Sequence, residues 1–186
     1  MPLLRDRDFS KPDQHAARPE FHLDALHKAG TPITKFARQL CKPFDSPIDA
    51  YRAIFFWLHL SIKYSVHKRE TEYQYQHPET VFGRGRGRCV GFSALFKEMA
   101  NAAGLPCMVV GGMAENKKWK IGPHAWIMVE VEGWGVRWID PTWGARGREG
   151  RCKGRFFTME MSEWSASHWL DSVIRTPKTD KTDLNW

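Results

Sequence analysis

The stretch whose reading decides the fold is Gly83-Arg84-Gly85-Arg86-Gly87-Arg88-Cys89-Val90-Gly91-Phe92-Ser93-Ala94-Leu95-Phe96. A loop of alternating glycine and arginine runs straight into a cysteine, and an apolar-periodic segment begins there. Phe92, Leu95, Phe96, Met99 and Ala103 recur at helical spacing, and Gly104 stands where a helix would stop. The pattern predicts a helix over residues 89–103 with Cys89 in its first turn. The positive end of the helix dipole and the preceding Arg84, Arg86 and Arg88 both favour the thiolate, which is the nucleophilic form of cysteine.

Downstream, His124 lies in Pro-His-Ala-Trp and Asp140 in Trp-Ile-Asp-Pro-Thr-Trp-Gly. Residues 124–131 and 135–140 read as two strands joined by a turn at Glu132-Gly133. A turn centred on Glu132 puts His124 directly across from Asp140, where side chains on one face have Cβ atoms about 5 Å apart. A slip of register would send the two to opposite faces. Cysteine, histidine and aspartate have complementary roles in acyl chemistry. The thiolate attacks an acyl carbon to give a thioester, the imidazole moves the proton, and the carboxylate fixes the imidazole and stabilises its charged form. Backbone N–H groups at the start of the cysteine helix are natural oxyanion donors. Tyr64, Gln74 and Gln76 are side-chain candidates for the same task, with nothing to choose among them.

Working outward, Ser46-Pro47-Ile48-Asp49 is a helix start, with Ser46 as cap, Pro47 in the first turn and Asp49 completing a box. The helix it opens is apolar on more than one face and so reads as buried. Residues 65–82 read as a long polar surface connection, the kind of segment that often carries function. Cys107–Met113 reads as a buried strand, 116–118 as a turn, 146–154 as a basic loop, 156–158 as a last strand, and 162–170 as a short helix capped by Ser162. Three segments follow: a flexible N-terminal arm at 1–20, a domain at 21–172 with its core at 46–145, and a flexible C-terminal tail at 173–186.

Composition narrows the class. A chain of 186 residues with 42% hydrophobic and 13% aromatic residues is long and apolar enough for one domain with a real core. The net charge of +7 and pI near 9.4 do not by themselves point to nucleic acid. The Gly-Arg run is too short for an RNA-binding repeat and lacks the lysine of a phosphate-binding loop, so nucleic acid is disfavoured as a partner. The arginines do suggest an acidic flank on a substrate. Cys41, Cys89, Cys107 and Cys152 are too widely spaced for a disulfide framework or a structural zinc site. Neither metal nor cofactor is expected. Without a signal-like or membrane-length apolar run, the expectation is the cytoplasm and no membrane, although a protein exported by a signal-independent route would look the same.

The helix-starting Gly-Arg-Cys-Val-Gly-Phe, His124-Ala125-Trp126, Asp140-Pro141-Thr142-Trp143 and the preceding segment 53–64 together resemble the transglutaminase-like superfamily over about residues 48–144. The Phe156-Phe157 and His168 region is similar to its kyphoscoliosis peptidase-like branch. The resemblance implies an α+β, papain-like fold with the nucleophile helix packed on an antiparallel sheet. It implies Cys89 as nucleophile, His124 as base and Asp140 as orienting acid. Trp126 and Trp143, which flank them, become candidate walls of an acyl pocket. The implied activity is acyl transfer or hydrolysis on a protein or peptide amide, as in transglutaminases, deamidases or cysteine proteases. The rival is a catalytically silent binding module of the same fold.

Overall fold

The structure is a computed structural model that describes residues 4–115, 120–145 and 152–170. The expected turn at 116–118, most of the basic loop 146–154 and the C-terminal tail 173–186 lie outside the described residues.

Three short helices, α1 (Ser10–Ala16), α2 (Leu23–Lys28) and α3 (Ile33–Cys41), lead into the long α4 (Pro47–Ser61). Then come β1 (Lys63–Tyr64), α5 (Pro78–Arg84), β2 (Arg86–Gly87) and α6 (Cys89–Ala102). The chain continues through β3 (Met108–Glu115), β4 (Ile121–Val131), β5 (Gly135–Ile139), α7 (Pro141–Ala145), α8 (Met161–Ser165) and β6 (His168–Leu170). The main sheet is antiparallel in the order β5-β4-β3-β6, and β1 and β2 form a separate parallel pair. Helix α6 packs on β4 and β3 on one side and on α3, α4 and α5 on the other. This is the expected α+β architecture, with the cysteine at the N-terminus of a helix that lies on an antiparallel sheet.

Helix α4 is the hub of the helical half. Tyr51, Ile54, Phe55, Trp57 and Leu58 are each no more than 1% exposed. The helix touches α1, α3, α6 and α7 on different faces. Each such side chain contributes on the order of 1.5–3 kcal/mol through burial. The helix starts where Ser46-Pro47 predicted, but the Ser46 hydroxyl makes no capping hydrogen bond. The Asp49 carboxylate is drawn instead to Arg7, at 2.7 and 3.1 Å. Gly144 of α7 sits so close to Phe55 that a Cβ there would meet the ring at 2.2 Å.

Several expectations give way to tertiary packing. The supposed arm contains α1, whose Pro12 and Ala16 are buried against α4. Asp13 forms a two-pronged bond to Arg52 at 2.6 and 2.7 Å. The Arg52 guanidinium also lies 5.2–5.7 Å from the rings of Phe9, Phe55, Phe56 and Phe157. A recess of about 340 Å³ lined by Arg7, Asp13, Arg52 and Phe157 opens over this pair. The 65–82 connection is not a plain surface loop. It holds two 3-10 turns and α5, with Ser65, Glu70 and Gln76 buried. The expected strand at 156–158 is a 3-10 turn followed by Thr158 at φ 60°, a left-handed residue that breaks an extended run. The expected helix at 162–170 stops at Ser165 and is capped by a Glu160/Glu163 box rather than Ser162. Residues 168–170 form an edge strand because they satisfy the open side of β3 at Gly112, Met113 and Ala114.

Replacing Asp13 with Asn leaves the Arg52 charge buried among four rings without the carboxylate that faces it. Removing one partner of a fully buried pair costs about 3–5 kcal/mol. Because Asp13 keeps some exposure, the loss expected in denaturant unfolding is smaller, about 2 kcal/mol. An Asp13→Asn variant as stable as the parent would show that α1 is not anchored through this pair.

Candidate active site

Cys89 is the first residue of α6, as the periodicity predicted. The residue before it, Arg88, supplies no side-chain cap. That task falls to Gln76, thirteen positions upstream in the sequence. Its Oε1 accepts the N–H of Gly91 at 3.2 Å, the bond an ordinary N-cap side chain would make, and the N–H of Arg88 at 2.9 Å, the bond a capping box would make. Its Nε2 donates to the Glu70 carbonyl. The amide is therefore turned inward, and Gln76 acts as the cap of the helix that begins at Cys89. Gly91 must lack a side chain for this to work, since a Cβ would lie 2.6 Å from Gln76 Oε1 and 2.8 Å from Val81 Cγ2. Among the described residues, the N–H groups of Cys89 and Val90 have no acceptor.

The other two oxyanion candidates lie on the segments that lead up to α6. Gln74 donates to the exposed Glu72 carboxylate at 2.8 Å, and Tyr64 lies on β1 opposite Gly87. The arginines, too, do something other than the sequence suggested. The buried Glu70 carboxylate accepts from Ser65 and Arg84 and lies 3.4 Å from Arg86. The Ser65 hydrogen bond and then Arg84 hold the Glu70 carboxyl below the usual carboxylate range. Arg88 donates to the His67 carbonyl at 3.2 Å. The Gly-Arg run thus pins the 65–77 segment to the base of α6. This removes the argument from these arginines for an acidic substrate flank.

The sheet half brings the other two groups. His124 lies on β4, with its partner Gly112 on β3. Val131 pairs with Gly135 and Ile127 with Ile139, so the β4–β5 turn is centred on Gly133 rather than Glu132. Extending that register puts Asp140 across from Trp126, not His124. The shift keeps both residues on one face, and the pair meets diagonally: His124 Nε2 lies 2.8 Å from Asp140 Oδ2. Asp140 also opens α7, its Oδ1 accepting the Trp143 N–H at 2.9 Å. His168 Nε2 approaches the same Oδ2 at 3.3 Å. Nothing in the sequence reading singled out His168 for this site, because it was placed at the end of a helix rather than on a strand beside β3.

With its Nε2 on Asp140, His124 has its other ring nitrogen free to serve Cys89, and the two residues are close enough to shift each other's ionisation. Burial alone would raise the Cys89 thiol. The His124 hydrogen bond and charge, helped by the Ala125 N–H, outweigh it, and the thiol lies below its ordinary value. Burial likewise opposes a charge on His124, but Asp140 and Cys89 together push the imidazole up to about 10. Burial opposes the Asp140 charge as well. The charge of His124 and hydrogen bonds from both histidines nonetheless hold the carboxyl well below the usual range. Cys89 and His124 thus favour each other's charged forms, above a buried carboxylate. The other three cysteines are pushed by burial to about 12, about 12 and about 11 at Cys41, Cys107 and Cys152.

Trp143 is partly buried and stacks on the His124 ring at 4.9 Å. Trp126, expected to wall an open pocket, is instead wholly buried beneath His124 and His168. His124, Asp140 and His168 offer ligand atoms within 4.8 Å of one another, close enough to hold a cation. Their separations of 2.8 and 3.3 Å are already those of hydrogen bonds, and Asp140 and His168 have no exposed surface.

The sequence pattern of the transglutaminase-like superfamily matches residues 34–141, which include Cys89, His124 and Asp140, and the chain belongs to that superfamily. Among solved structures it is similar to a TGase, at 23% identity and a TM-score of 0.48, over 72% of this chain and 35% of the other. It is also similar to the periplasmic domain of TgpA from Pseudomonas aeruginosa, at 19% identity and a TM-score of 0.48, over 75% of this chain and 49% of the other. The chain thus spans between a third and a half of these structures. No curated protein matches it. Among the described residues, no helix is long and apolar enough to cross a membrane.

Replacing Gln76 with Leu strips the side-chain acceptor from the start of α6. Loss of a cap costs about 0.5–2 kcal/mol, and a drop of that size is expected in the unfolding free energy. Gly91→Ala is expected to cost at least as much in the parent, but less in a Gln76→Ala background where the clash with Oε1 is gone. Equal costs for Gly91→Ala in both backgrounds would rule out this account of the cap.

Proposed function

We propose that this protein is a cysteine-dependent enzyme that transfers or hydrolyses an acyl group from a protein or peptide amide through a thioester. The observation that carries this reading is the His124 imidazole, held at 2.8 Å on a fully buried Asp140 and near enough to Cys89 at the start of α6 for thiol and imidazole to favour each other's charged forms. The Cys89 thiolate attacks the amide carbon. The N–H groups of Cys89 and Val90, at the positive end of α6, are placed to receive the developing oxyanion. His124 gives its proton to the departing nitrogen, the C–N bond breaks, and the acyl group stays on sulfur. Neutral His124 then takes a proton from an incoming water or amine, which attacks the thioester. Collapse releases the product and restores thiolate and imidazolium. Asp140 keeps Nε2 protonated throughout, so that it is the other nitrogen that exchanges the proton. Water as the resolving nucleophile gives hydrolysis or deamidation, and an amine gives cross-linking. The four free thiols suit a reducing compartment, and we place the protein in the cytoplasm on that basis.

The test reads the thiol first and the reaction second. Alkylation of Cys89 by iodoacetamide, followed by peptide mass spectrometry across pH, is expected to titrate well below the ~8.5 of an ordinary cysteine. His124→Ala is expected to return it upward. Labelling of Cys89 no faster than that of Cys41 or Cys152 would refute the enzyme reading. Acid quenching of the parent during turnover of a peptide mixture is expected to leave an acyl adduct on Cys89 whose mass names the donor, and His124→Ala, which lacks the proton donor for acylation, is expected to leave none. Turnover of that donor should fall on the acid side as Cys89 protonates. It should fall again on the alkaline side as His124 loses its proton near about 10. Alkylation should fall only on the acid side.

A further inference from the structure

We infer that His168 is a positioning residue for the site, a neutral second imidazole that keeps Asp140 ionised and aimed at His124. The role rests on the cysteine chemistry proposed for Cys89, and no motif of the family pattern matched at 34–141 reaches as far as residue 168.

The protonation pattern follows from the contacts. An ionised carboxylate only accepts hydrogen bonds. Asp140 Oδ1 takes the Trp143 N–H, so the two nitrogens that reach Oδ2, from His124 at 2.8 Å and His168 at 3.3 Å, must both be donors. One negative charge faces two imidazoles. His124 has a second negative partner, the Cys89 thiolate, and carries the positive charge. His168 has none. Its other nitrogen, Nδ1, lies 2.9 Å from the Ser167 hydroxyl. With that hydroxyl donating to Nδ1, His168 is the neutral tautomer with the proton on Nε2. The titratable groups facing His168 are Asp140 from the start of α7 and His124 from β4. The rest of its surroundings are the rings of Trp126, Trp143 and Trp164, at 4.8–6.1 Å, and the paired Ala114 of β3.

The energetic need is clear. Asp140 has no exposed surface, and a buried charge without enough donors either moves or takes up a proton. His168 supplies the third donor. Without it, the carboxylate gains freedom to turn toward the Trp143 N–H and holds a proton more readily. Both changes weaken its hold on the His124 imidazolium, which in turn holds the Cys89 thiol low.

The experiment compares His168→Phe, which keeps bulk but cannot donate, with His168→Gln, whose amide N–H can take the place of Nε2–H. In the parent protein, ¹⁵N NMR at neutral pH is expected to show His168 with Nε2 protonated and Nδ1 bare. The opposite tautomer overturns the inference. The Cys89 alkylation titration is expected to move up by roughly one unit in His168→Phe, a tenfold loss of thiolate at acid pH, and to return toward the parent in His168→Gln. An unchanged or lowered titration in folded His168→Phe, or equal titrations in Phe and Gln variants, overturns it. If His168→Phe does not fold, Ser167→Ala decides: a smaller upward shift supports the role, and none overturns it. A purely structural histidine would alter melting temperature and leave the thiol titration where it was. If the parent's own Cys89 shows no lowered titration, it is the enzyme reading that fails.

Discussion

A carboxylate with no solvent has to be compensated by the protein around it, and Asp140 organises the sheet half of this molecule by that requirement. It accepts from a β4 histidine, a β6 histidine and the backbone of α7. Its own N–H is held by the Phe156 carbonyl at 2.9 Å. Four separate segments therefore end or begin at one group. The order β5-β4-β3-β6 makes sense in these terms. It takes β6 on the far edge to bring His168 to a carboxylate that leaves from the end of β5, and the Trp126, Trp143 and Trp164 rings fill the space between. The Pro-Thr-Trp-Gly sequence after Asp140 is the local part of the same solution. Pro141 starts a helix whose third residue, Trp143, turns its N–H back on the carboxylate, and Gly144 allows that helix to lie against Phe55 of α4.

The helical half solves the opposite problem, an excess of unpaired N–H donors at the start of α6. A capping residue immediately before the cysteine would be the usual answer, but Arg88 cannot provide it. The cap arrives from the preceding segment, and Gln76 is held in place by Glu70, which is held by Ser65, Arg84 and Arg86. The consequence is selective. The N–H groups of Arg88 and Gly91 are satisfied, while among the described residues those of Cys89 and Val90 are not.

What could be read from the sequence was whatever depends on neighbours in the chain. The apolar period after Cys89 located α6 to within a residue, and the β-rich runs located β3, β4 and β5. The meeting of His124 with Asp140 was legible because face parity survives the actual turn position, although the direct pairing did not. What depends on distant partners was hidden. The arginines before Cys89 looked like thiolate stabilisers, yet they face Glu70 and the His67 carbonyl. Gln76 looked like an oxyanion donor because its inward partners, Glu70 and Gly91, could not be foreseen. Residues 168–170 had helical company on their N-terminal side and became a strand only because β3 has an open edge there. Helix α1, too, is fixed by Arg52, a residue 39 positions away from Asp13.

The two halves depend on each other electrostatically. For Cys89, His124 and Asp140 alike, burial is the largest single influence, and each time it acts against the charged form. Taken singly, each group would be driven toward neutrality at this depth. Only when α6 lies against β4, with α7 closing the end of β5, does each charge find the neighbour that outweighs its desolvation. The ionised state is thus a property of the docked halves rather than of any residue. The contacts that dock them, Gly144 against Phe55 and α6 against β4, matter to these three side chains as much as the bonds among them do.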